Sequence, residues 1–122
     1  MSMYQQGRGR VETEAVILSG TGATTILDAE DNGSLIEHIR LVNTTGGAID
    51  VTVDRYKVST TTAYVLVQSH TLAIAGTESA NLSTSVYEIV MPLWLAKGWL
   101  LRVTGNTGVH VTATHVRPEG RT

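Results

Sequence analysis

Ile49-Asp50-Val51-Thr52-Val53-Asp54 alternates apolar and polar residues without a fault, and its reading decides the fold class. Successive side chains of a strand point to opposite faces, so Ile49, Val51 and Val53 belong to one face and Asp50, Thr52 and Asp54 to the other. Val109-His110-Val111-Thr112-Ala113-Thr114 repeats the pattern near the end of the chain, and Trp99, Leu101 and Val103 alternate with Leu100 and Arg102. In residues 35–43, Ile39 and Leu41 are in phase but Ile36 is not. One extra residue flips a strand's faces, so a bulge at Glu37-His38 is expected there.

Further strand candidates lie at residues 14–19, 24–28, 63–69 and 86–91, with a shorter extended piece at 72–76. Turn signals separate them: Gly20-Thr21-Gly22, Asp31-Asn32-Gly33, Thr44-Thr45-Gly46-Gly47 and Gly105-Asn106-Thr107-Gly108. The one helical alternative, around residues 93–97, is too short to change the class. The expected fold is all-β: an antiparallel β-sandwich of about eight strands with jelly-roll-like connections. Its expected core is Ile39, Leu41, Val51, Val53, Leu101, Val103, Val109 and Val111. Residues 1–13, polar and without period, read as a flexible N-terminal arm; 14–117 form the sandwich domain and 118–122 a polar tail.

Composition agrees. With 122 residues there is room for one domain, and 42% hydrophobic against 16% charged residues is enough for a core. Thr and Val dominate, which suits a pleated surface. The absence of Cys excludes disulfides and thiolate zinc sites, and a net charge of −2 disfavours a nucleic-acid binder. No apolar run is long enough to span a membrane, and no signal core opens the sequence.

Chemistry is sparse. Of the four histidines, His110 and His115 share a strand but differ by an odd number, so they face opposite sides; His38 and His70 lack a local partner. No metal and no cofactor is expected. Asp28-Ala29-Glu30-Asp31-Asn32-Gly33 has oxygens at the first, third and fifth positions of a calcium loop, but Ile39 stands where the twelfth needs an acid. A polar hairpin turn is the expected reading. Neither a nucleophile elbow nor a phosphate loop is present, so no catalytic residue is assigned and no enzyme is expected. Arg8 and Arg10, in Gly7-Arg8-Gly9-Arg10, form the one local basic feature, suited to forking onto carboxylates of a neighbour.

The segment Ile36-Glu37-His38-Ile39-Arg40-Leu41-Val42-Asn43-Thr44-Thr45-Gly46 resembles a strand and turn, I-x-x-I-x-L-x-N-x-T-G, of small tailed-bacteriophage virion proteins. Two later segments match in the same order: Leu72-Ala73-Ile74-Ala75-Gly76-Thr77, and the stretch from Pro92 through Trp94, Gly98 and Trp99 to Thr104. The resemblance spans about residues 35–116. It implies a β-sandwich used as a virion building block, such as a head decoration or a neck, tail or fibre part. After Gly98 the family usually has a polar residue, often Asp; Trp99 here implies an additional buried contact.

Such a protein needs apolar surface beyond its own core. Tyr64 and Leu66, Trp99 and Leu100, and Trp94 between Leu93 and Leu95 are the candidates, with Arg8 and Arg10 on the arm. The expected role is a non-enzymatic capsid decoration or cement protein, made in the host cytoplasm and located in the virion. Its expected partners are further copies, as in a trimeric homo-oligomer, and the major capsid protein or another virion protein, with no nucleic acid and no membrane. The alternative outside this class is a ligand-binding β-sandwich such as a carbohydrate-binding module, and 5% aromatic content disfavours the sugar-binding form.

Overall fold

The structure, a computed structural model, describes residues 10–77 and 84–118. Nine strands follow in order: β1 (Arg10–Ile17), β2 (Thr24–Asp28), β3 (Ser34–Asn43), β4 (Ile49–Lys57), β5 (Thr62–Leu72), β6 (Val86–Ile89), β7 (Leu93–Leu95), β8 (Trp99–Thr104) and β9 (Val109–Arg117). A single 3-10 turn at Val58–Thr60 joins β4 to β5. One sheet has the order β1-β9-β3-β6, with β7 also paired to β3; the other has β2-β8-β4-β5, and every pairing is antiparallel. Two four-strand paths interleaved in this way are the double Greek key of a jelly roll.

The core matches the period-2 reading. Ile39, Leu41, Val51, Val53, Leu101, Val103, Val109 and Val111 are all buried, joined by Leu18, Ile36, Leu72 and Leu95. The expected bulge lies between Ile36 and His38, where the β3–β9 register shifts, and it turns Ile36 inward with Ile39 and Leu41.

Three expectations change. The first strand begins at Arg10, so residues 10–13 are not part of a flexible arm; Arg8 lies outside the described residues. The sequence hid the first half of this strand because the inward positions there are Glu12 and Glu14, while Val11 faces out. The turn at residues 29–33 is an arch rather than a hairpin, since β2 and β3 lie in different sheets. Residues 93–95 form β7, a short strand that extends the first sheet beside β3.

Gly33 closes that arch at φ +77°, a backbone conformation that costs an L side chain about 1–2 kcal/mol. A Cβ there would also fall on the edge of the Trp94 ring, which occupies the space. Gly33→Ala is therefore expected to destabilise by roughly 2–4 kcal/mol, combining the backbone and overpacking costs. In a Trp94→Ala background the loss should shrink to the backbone part, which urea unfolding of the single and double variants measures.

Asn43 joins the two layers. It is buried at the end of β3 and its Nδ2 donates to the carbonyls of Gly47 (2.8 Å), Ala73 (3.0 Å) and Leu72 (3.4 Å). Its Oδ1 accepts from the Thr45 amide (2.9 Å) and hydroxyl (2.7 Å). One side chain thus fixes the β3–β4 arch and ties it to the end of β5 in the opposite sheet.

Candidate functional site

Among the described residues, exposed apolar side chains gather on the side of the sandwich bounded by β5 and β6, edge strands of the two sheets. The edges meet at one end, where the Ala73 amide donates to Thr84 O (3.0 Å) and the His70 ring stacks on Tyr87 with centroids 4.1 Å apart. Further along they leave a crevice of about 240 Å³ between the layers. Ile39, Tyr87, Ile89 and Leu93 line it from the first sheet's side, Leu66 and Val67 from the second, and Met91 stands at its mouth. Val90 and Met91 are 71% and 57% exposed, and Tyr64 and Val65 are nearly half exposed on β5.

Local irregularity builds this opening. The β4–β5 register shifts between Val53 and Asp54, which makes Leu66 a supernumerary residue on β5. An extra residue breaks alternation, so Leu66 and Val67, adjacent in sequence, both turn toward the crevice while Val65 stays out. A second shift, between Val51 and Val53, accompanies Ser69 at φ +46°, whose amide donates to Thr52 Oγ1 (3.0 Å).

Beside the crevice, Trp99 lies half-buried on the inward face of β8, with Tyr64 at 5.2 Å between centroids. The guanidinium of Arg55 and the ammonium of Lys57 approach the same ring at 5.3 and 5.8 Å. The Arg55 Nε, buried without a hydrogen-bond partner, has the indole for its environment. Trp99 thus packs against Tyr64, Arg55 and Lys57, all on strands of the same sheet.

Tyr64, Leu66 and Trp99 thus come together on one side of the molecule; the other expected interface residues do not join them. Trp94 projects outward from the first sheet and continues a row across it, with Leu35 opposite Trp94, Val116 opposite Leu35 and Val11 opposite Val116. Leu100 lies half-buried on the outward face of the second sheet, opposite Tyr56. There Arg102 grips Asp54 through Nε (3.0 Å) and Nη2 (3.3 Å) and stacks over the Tyr56 ring at 3.9 Å. Arg10 pairs with its strand neighbour Glu12 at 3.0 Å. The two tryptophans occupy different sheets and share no platform of the kind a flat sugar ring needs.

The sequence did not bring Val67, Tyr87, Ile89 and Met91 into one group, because they meet only through the splaying of two edges. It also left His115 without a partner. That histidine is fully buried, with Nδ1 2.6 Å from Ser34 Oγ and Nε2 3.2 Å from Glu14 Oε2 and 3.9 Å from Glu12 Oε1. Ser34 is itself fully buried, so this Ser-His-Glu array presents no nucleophile to a substrate. The acidic arch forms a further concavity, a shallow surface between Asp28, Glu30, Asp31 and Lys97. There Asp28 Oδ1 accepts from the Glu30 amide (2.9 Å) and Lys97 stands 3.7 Å from Asp31. No family model, no curated protein and no solved structure matches the chain.

Proposed function

We propose that this chain is a non-enzymatic structural protein that works by associating with further copies of itself, in the setting of a tailed-phage virion. The observation that carries the association is the apolar crevice on the β5–β6 side. At about 240 Å³ it is below the roughly 300–1,000 Å³ of small-molecule sites, and its lining brings no convergent set of polar groups. It has the size and chemistry of a socket for apolar side chains from another protein surface.

The edge beside it favours a second copy as the occupant. From Thr62 to Leu72, β5 carries no charged residue. Edge strands that must stay unpaired are usually protected by charge, and on the far side of the sandwich β1, the edge of the first sheet, holds Arg10, Glu12 and Glu14. An uncharged edge flanked by exposed Tyr64, Val65, Val90 and Met91 offers both a backbone ladder and side chains to fill a matching socket. The virion setting is supported by the three phage-like segments; a capsid decoration is the role we favour, with a neck, tail or fibre subunit as the alternative within the same setting.

Met91→Asp tests the association. The side chain is exposed at the crevice mouth, so the melting temperature is expected to stay within about 2 °C. Self-association, read by light scattering across a concentration series, should weaken at least tenfold, because a charge would be desolvated in the contact. Unchanged association in Met91→Asp, or a wild-type chain that stays monomeric at high concentration, would overturn the reading. Co-sedimentation with particles lacking the protein tests the setting, with wild-type binding and loss in Met91→Asp as the expected pair of results.

A further inference from the structure

The geometry points to a divalent transition-metal site at Glu12, Glu14 and His115, independent of the association surface. Glu12 and Glu14 occupy successive inward positions of β1, and His115 is paired with Glu12 on the adjacent β9. One ligand atom from each lies within 4.8 Å of the others. A tetrahedral zinc ion with bonds of about 2.0–2.1 Å holds its ligand atoms about 3.3 Å apart. The separations from His115 Nε2, 3.2 Å to Glu14 and 3.9 Å to Glu12, bracket that value. Closing them requires only small rotations of two carboxylates whose side chains are 38% and 29% exposed, which also leaves a solvent-side position for a water ligand.

A separate observation is the buried shell behind the histidine. Binding through Nε2 requires the proton to sit on Nδ1, with an acceptor to receive it. Ser34 Oγ lies 2.6 Å from Nδ1 and 3.4 Å from the carbonyl of Val116. The hydroxyl can accept from Nδ1–H while donating to that carbonyl, so the tautomer a metal needs is fully satisfied inside the protein. With Nδ1 so engaged, Nε2 of this fully buried ring faces the two carboxylates.

The surrounding cations leave the ligand set intact. Arg10 holds Glu12 by Oε2 at 3.0 Å, the oxygen turned away from the histidine. Arg117 approaches Glu12 Oε1 at 3.6 Å, but it also donates to Ala29 O (3.1 Å) and lies 3.3 Å from Glu30 Oε1, partners that retain it when Glu12 turns to an ion. Two carboxylates and a neutral imidazole match zinc, and cobalt(II) serves as its spectroscopic stand-in.

The test uses the full chain stripped with EDTA. Equilibrium dialysis against zinc chloride is expected to load one ion per chain, and zinc should raise the melting temperature by several degrees, since the ion joins the edge strand β1 to β9. Cobalt(II) should give the intense visible bands of a four-coordinate site. Glu12→Gln/Glu14→Gln keeps size and hydrogen bonding while removing both anionic ligands, and should abolish stoichiometric loading. Ser34→Ala, which removes no ligand, should weaken binding about 10–100-fold. Failure of the wild-type chain to take up zinc, or equal uptake by the double glutamine variant, would overturn the assignment.

Discussion

Val51→Asp is expected to abolish the cooperative unfolding transition altogether. Val51 is fully buried on β4, and the backbone of Gly105 passes so close that a Cβ added there would lie 3.1 Å from Val51 Cγ1 and 3.0 Å from Leu18 Cδ1. A carboxylate in that position would face aliphatic neighbours, and burying an unpaired charge costs several kcal/mol even after relaxation. Against a total stability of about 5–15 kcal/mol for a domain, that cost added to the lost apolar burial is decisive. The contrast is one residue away: Asp50 is exposed on the other face and accepts a 2.6 Å hydrogen bond from the Thr71 hydroxyl. Circular dichroism melting of Val51→Asp decides the matter, and a retained wild-type melting temperature would mean that the strand register is wrong.

Asn43→Ala has the second largest expected effect. It deletes a buried donor group serving three carbonyls and an acceptor serving two donors of Thr45. With net hydrogen bonds worth about 1 kcal/mol each and buried groups left unsatisfied costing more, a loss of roughly 3–5 kcal/mol is expected from urea unfolding. Asn43→Asp should be at least as damaging although it is closer in shape, since it would set a carboxylate against three carbonyl oxygens. A loss under about 1 kcal/mol for either variant would show that water replaces the side chain in fixing the arch.

How much of this was readable in the sequence depends on how each residue's partners are placed along the chain. Val51, Val53, Val109 and Val111 declare themselves because alternation is a local property and each strand alone states which face is buried. The displaced phase of Ile36 gave away the bulge in β3 for the same reason. Leu66 did not do so, because its neighbours Tyr64, Val65 and Val67 are also apolar and alternation is silent where both faces look alike. Glu12 and Glu14 were unreadable for a different reason. Their partner His115 is about a hundred positions downstream, and inward carboxylates in the polar run Arg10-Val11-Glu12-Thr13-Glu14 look solvent-facing until that partner is in place. The crevice belongs to the same group, since it arises from the divergence of two edges that no single strand encodes.

The position of β9 has a consequence for the order in which the molecule can be made. It lies between β1 and β3, so the last of the nine described strands to be made is the one that joins the first sheet together. Until Val109–Arg117 is made, β1 has no paired neighbour and β3 exposes a bare ladder along one side, and the other sheet likewise lacks its inner strand β8 until Trp99–Thr104 has been made. Nascent chains are therefore expected to carry two open sheets through most of synthesis, because the inner strands β8 and β9 are the last of the described strands to be made. Late insertion of a central strand is a non-local step of the kind that makes β-rich folding slow and aggregation-exposed. A stop before residue 109 would give a product that keeps the residues of one whole sheet and lacks the centre of the other.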